Sequence, residues 1–199
     1  MKKIILLIIL IIPYLLFSQI QLGSTISGDS PYESFGRALS INNDGTRVAI
    51  GGSHNDIGGE NAGHVRVFEY TNGAWSQLGG DIEGETVNDN SGTSISMNGN
   101  GTIIAIGADS NDGNGRDSGH TRVYQYNNGA WSQLGSDIDG EARDDNSGIS
   151  VSISDDGTTV AIGANENDGN GGNSGHTRIY QYVSGTWIQL GNDIDGEGA

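Results

Sequence analysis

Between residues 148 and 154 the chain alternates: Ile149, Val151 and Ile153 interleave with Ser150, Ser152 and Ser154. That is the period of a strand with one face buried. Asp156-Gly157 follows, a two-residue hairpin signal. Residues 158–164 (TTVAIGA) are small and apolar throughout, which predicts a strand covered on both faces. A loop rich in Asn and Gly (165–175) leads to a further strand at 176–182 (HTRIYQY). In the preceding copy the equivalent strand turns at Asn128-Gly129 into a segment that begins at a tryptophan, 131–138, with Leu134 at its centre. A polar crossing, 137–147, then reaches the next alternating strand.

The whole pattern repeats without insertion or deletion. Trp75, Trp131 and Trp187 stand 56 residues apart, and His64, His120 and His176 and Arg66, Arg122 and Arg178 keep the same phase. A fixed period of this size is the mark of a repeat architecture. Four short antiparallel strands joined by one longer crossing make a propeller blade. The fold class is therefore all-β: a β-propeller-type array of four-stranded antiparallel blades. The expected organisation is an orphan outer strand of a closing blade at 19–30, then repeats at 31–86, 87–142 and 143–199. Three blades would leave two apolar blade faces uncovered, so the expectation is part of a larger ring of about seven blades, closed from outside by segment 19–30.

Residues 1–18 lie outside the repeat. Lys2 and Lys3 precede an unbroken apolar run from 4 to 17, and Ser18 and Gln19 follow. This is the layout of a signal peptide, shorter than the ~20 apolar residues of a membrane span. It predicts export, to the cell surface or beyond. Loss of both lysines with that segment takes the net charge from −16 to −18 and leaves arginine as the basic residue. A chain this acidic repels nucleic acid and anionic membranes. With no cysteine there is no disulfide framework, and 34 glycines against two prolines point to many tight turns.

The stretch SGISVSIS, GTTVAIGA and SGHTRIYQY resembles the FG-GAP repeat, the blade unit of integrin-α-like propellers, in the variant of secreted, multi-repeat bacterial proteins of Bacteroidetes type. Ser34-Phe35-Gly36 matches its FG element. Ile50-Gly51-Gly52, Ile106-Gly107-Ala108 and Ile162-Gly163-Ala164 match its second element without the usual proline. The resemblance implies an extracellular domain that contacts proteins or glycans. It does not carry over calcium in the loop between the first two strands, because those connections (42–45, 98–101 and 155–157) are too short to supply six to eight oxygens.

Carboxylates are densest in the crossings. Asp81, Glu83 and Glu85, and Asp137, Asp139 and Glu141, alternate along extended chain, as do Asp193, Asp195 and Glu197, and they are the candidate calcium ligands. The competing reading is a solvated polar rim. The loops 111–115 and 167–171 read as turns, and His54, Asp56 and Glu60 form a trio found in the first copy alone. No nucleophile with a nearby base and no phosphate-cradling loop is present, so no catalytic residue and no cofactor is expected. The functional expectation is an exported, non-catalytic scaffold presenting loops to an extracellular protein or glycan. The alternatives are a structural spacer and a fragment of a propeller enzyme with its site in the central mouth.

Overall fold

A computed structural model of the chain describes residues 20–198, so the expected signal peptide at 1–18 lies outside the described residues. All fifteen regular elements among them are strands. The first blade contains β1 (Leu39–Ile41), β2 (Arg47–Gly52), β3 (His64–Thr71), β4 (Ala74–Gln77) and β5 (Ile82–Glu83). The second contains β6 (Ser94–Met97), β7 (Ile103–Ala108), β8 (His120–Asn127), β9 (Ala130–Gln133) and β10 (Ile138–Asp139). The third contains β11 (Ser147–Ile153), β12 (Thr159–Ala164), β13 (His176–Val183), β14 (Thr186–Gln189) and β15 (Ile194–Asp195). Each is an antiparallel sheet in the order the sequence predicts, with one difference. The tryptophan strand is broken in two, and both pieces, β9 and β10 in the second blade, pair with β8. Gly135 has φ +79°, so the backbone leaves the ladder there and rejoins it at Ile138.

The hydrophobic core lies between the sheets. Ala49, Val65, Val67 and Ile82 of the first blade meet Met97, Ile104, Ile106 and Tyr124 of the second. Ala105, Val123 and Ile138 of the second meet Val160, Ile162, Tyr180 and Trp187 of the third. Every residue of β7 is consequently buried, whereas its copy β12, covered on one face, alternates buried and half-buried. The alternating serines also join blades: the Met97 N–H donates to Ser40 Oγ and the Ile153 N–H to Ser96 Oγ, both at 3.0 Å. At the outer edge, the Trp131 and Trp187 indoles donate to the Leu78 and Leu134 carbonyls of the preceding blade, at 2.8 and 2.7 Å.

Segment 20–30 forms no strand. Its Leu22 carbonyl does accept the Trp75 indole at 2.9 Å, in phase with the other copies. A strand also needs a ladder partner, and among the described residues no third strand precedes this segment. The two outer blade faces are apolar and open, with Leu39, Ile41, Leu190 and Ile194 exposed. Ile194 is 58% exposed where Ile82 and Ile138 are 4%. Ile138→Val should therefore cost about 1 kcal/mol and Ile194→Val close to nothing, read from paired urea titrations; equal costs would contradict the assignment of the core to the blade interfaces.

Candidate functional site

The crossings carry the acidic residues along one edge of the stack, beside the loops between the second and third strands of each blade. Extended chain places Asp81, Glu83 and Glu85 in a row, but the structure divides them between two blades, Asp81 and Glu83 beside His64 and Glu85 beside His120. Asp81 Oδ2 faces His64 Nδ1 of its own blade at 3.8 Å. Glu85 reaches forward to the second blade, with Oε1 3.2 Å from Arg122 Nη1 and Oε2 4.0 Å from His120 Nδ1. Asp137 completes that group with Oδ2 3.8 Å from the same His120 nitrogen. One repeat later Glu141, Arg178, His176 and Asp193 take the same places. In the first blade Asp29 holds Arg66 at 2.7 Å. The arginines thus pair with acids of the preceding crossing.

The histidines open their blades' third strands and are buried. Burial and the nearby Arg122 push the His120 imidazole down to about 4, and burial together with Arg66 lowers His64. Burial raises Glu83 and Asp139, and the neighbouring Asp81 and Asp137 add to it. Burial also raises Glu85, with Arg122 acting against it. Neutral imidazoles and crowded carboxylates therefore share the His64 and His120 junctions at neutral pH.

A second set of residues escaped the reading of the sequence. Asp89 and Asp145 are buried at the ends of the crossings, and Glu33 occupies the same place before the first blade. Asp89 accepts the Thr86 N–H at 2.9 Å and the Asn111 amide of the next blade's loop at 3.2 Å. Asp145 holds Asn167, and Glu33 holds Asn55, both at 3.0 Å. Recurrence of these acids and amides at the repeat period was the available signal. Burial was not, because the crossing reads as solvated.

The Asn-Asp-Gly loops are turns whose oxygens are engaged internally: Asn111 Oδ1 accepts the Gly113 N–H and Asp112 Oδ1 the Asp117 N–H, both at 2.9 Å. His54, Asp56 and Glu60 do not form a cluster. His54 Nδ1 meets Ser34 Oγ at 2.8 Å, and Asp56 accepts the Asn61 N–H at 2.8 Å. In the short connections between first and second strands, Asp44 and Asp156 accept the N–H groups of Thr46 and Thr158, both at 2.9 Å.

Clefts open where a crossing meets a loop. One of about 390 Å3 is lined by Glu85, Thr86, Asn111, Asp112, Asp137 and Asp139. Its first-repeat counterpart, about 590 Å3, is lined by Asp29, Pro31, Tyr32, Asn55, Asp56 and Ile57.

Residues 137–180 match the family model of the FG-GAP repeat. No curated protein sequence matches the chain. Among solved structures, one assigned as a 6-phosphogluconolactonase from Bacteroides uniformis is 15% identical, with a TM-score of 0.54 over 80% of this chain and 40% of that one. The Kuenenia stuttgartiensis hydrazine synthase is 11% identical, with a TM-score of 0.48 over 91% of this chain and 42% of that one. The chain thus spans about two fifths of the length of these structures, and the first of them is a likeness of fold.

Proposed function

We propose that this FG-GAP repeat protein is an exported, non-catalytic scaffold whose loop edge binds an extracellular protein or glycan. The support comes from what the three copies keep and what they vary. The chemistry-bearing side chains that recur (His120, Arg122, Asp89 and their equivalents) are buried and tie blade to blade. Variation gathers instead on the loop edge. Pro31, Val87 and Arg143 occupy one position, Tyr32, Asn88 and Asp144 the next, and Ile57, Gly113 and Gly169 a third that lies beside them in the first copy. A rigid repeat with a variable exposed edge suits recognition, since binding residues concentrate on loops held by a scaffold.

Tyr32 is the observation that carries this reading. It is 95% exposed and has φ +69°. Asn88 and Asp144 hold the same backbone at φ +65°, a conformation their short polar side chains tolerate and tyrosine does not. A bulky aromatic kept in strain at the mouth of a cleft, beside exposed Ile57, is a recognisable cost to stability for the sake of a surface.

Tyr32→Asn should stabilise the fold by about 1 kcal/mol and weaken binding at least tenfold. The wild type and variant, applied in parallel to glycan and matrix-protein arrays and to thermal melts, give both numbers. Unchanged binding would remove the Tyr32 cleft as the site, and a wild type that binds nothing on either array favours the structural spacer.

A further inference from the structure

We propose that each blade junction holds a divalent transition metal ion, zinc being the best match, on one histidine and two carboxylates. The three centres are His64, Asp81 and Glu83; Glu85, His120 and Asp137; and Glu141, His176 and Asp193. In each, one ligand atom per residue lies within 4.8 Å of the others.

The histidine-to-aspartate separations, 3.8, 3.8 and 3.6 Å, are too long for hydrogen bonds. They are close to the ~3.4 Å that separates two ligands of a tetrahedral ion with bonds of about 2.1 Å. His64 is 0% exposed, and neither of its ring nitrogens has a partner. Glu83 Oε2 in the same centre is also buried without one. Buried polar atoms are nearly always satisfied, and an unplaced ion is a standing explanation when they are not.

The three copies also compensate for one another. Repeats two and three take their long acid from the preceding crossing, Glu85 or Glu141, and carry the shorter Asp139 or Asp195 on the outer strand. In the first blade the lengths are exchanged: the crossing position is Asp29, which is spent on Arg66, and the strand position is Glu83, which reaches the histidine. Each centre thus keeps one glutamate, one aspartate and one imidazole. A solvated rim has no reason to preserve that set.

The donors select the metal. Calcium takes six to eight oxygens, whereas a neutral imidazole with two carboxylates suits zinc and leaves a position for water. Arg122 pairs with Glu85 Oε1 at 3.2 Å and leaves Oε2 toward His120, an ion pair that orients the ligating carboxylate from behind. Because Glu85 and Glu141 belong to the preceding repeat, the second and third ions would tie adjacent blades together.

Chelator-treated full chain dialysed against zinc, and in parallel against calcium, tests this by metal analysis. Zinc should be retained at up to three ions per chain and should raise the melting temperature, and cobalt in its place should give the visible absorption of a tetrahedral site. Asp137→Asn and Glu141→Gln, at partly exposed positions that leave the buried histidines intact, should each remove one ion while the circular dichroism stays unchanged. His54→Gln, outside the centres, should remove none. No zinc retained at tens of micromolar, calcium bound in its place, or a zinc count unmoved by both carboxylate variants would overturn the proposal.

Discussion

Gly107→Ala should destabilise the protein by about 3 kcal/mol or more, while the same change one repeat later, Gly163→Ala, should cost less than about 1 kcal/mol. Both glycines sit in a second strand with the same neighbours in sequence, Ile before and Ala after. At Gly107 an added methyl would lie 1.9 Å from the Gly148 carbonyl oxygen and 2.9 Å from its carbon, both backbone atoms of the next blade. Relief requires the two sheets to separate, which opens the interface that contains Ile103, Val123, Ile162 and Tyr180. Gly51 stands in the same relation to Gly92, at 2.3 Å. Gly163 has no following blade among the described residues. Its methyl would meet Ser150 Oγ at 2.4 Å and nothing else closer than 3.8 Å, and a hydroxyl can rotate away. Urea unfolding of the pair gives the comparison. Equal losses would mean that the glycines serve the strand and not the contact between blades.

Acid should weaken the fold through His120, by on the order of 3 kcal/mol between pH 6.5 and 4. The imidazole is pushed from 6.5 to about 4 by burial and by Arg122, with Asp137 and Asp89 opposing, and Glu85 Oε2 also faces it at 4.0 Å. Its folded-state value lies below the unfolded one, so the unfolded chain takes up the proton first. The stabilisation is complete above the unfolded value and is lost as pH falls toward the folded one. His64 acts in the same direction. Glu83, Glu85, Asp109 and Asp139, all raised chiefly by burial, act in the opposite one. A difference measurement isolates the histidine: with chelator present, the stability gap between wild type and His120→Gln should shift against the wild type by that amount across the window. A gap that stays constant would show that His120 becomes charged in the fold as readily as in the unfolded chain.

Much of the architecture was legible because it is local. Alternation at 148–154, the apolar run at 158–164 and the Asp-Gly and Asn-Gly turns each specify a strand or its end with no reference to distant chain. The unbroken period then fixed which segments are equivalent. The site was legible only as composition. The row of carboxylates at 81, 83 and 85 was visible, but its division between two blades was not, since that depends on where the next sheet lies. The buried Asp89 and Asp145 were hidden for the same reason: nothing in a run of Asp and Asn tells a capped, desolvated acid from a wet one.

The sequence by itself determined that this is an all-β repeat, which segments are equivalent, and which positions vary from copy to copy. Tertiary structure decided everything that depends on a neighbouring blade. It buried Ile138 and exposed Ile194, filled both faces of β7 and one face of β12, broke the tryptophan strand into two pieces, and carried Glu85 away from Asp81 to a histidine in the next repeat. The physical reason is that strand formation follows from alternation and turn chemistry along a few residues, whereas burial and charge pairing follow from the stacking of whole sheets. Identical local sequences therefore acquire different energies according to what covers them.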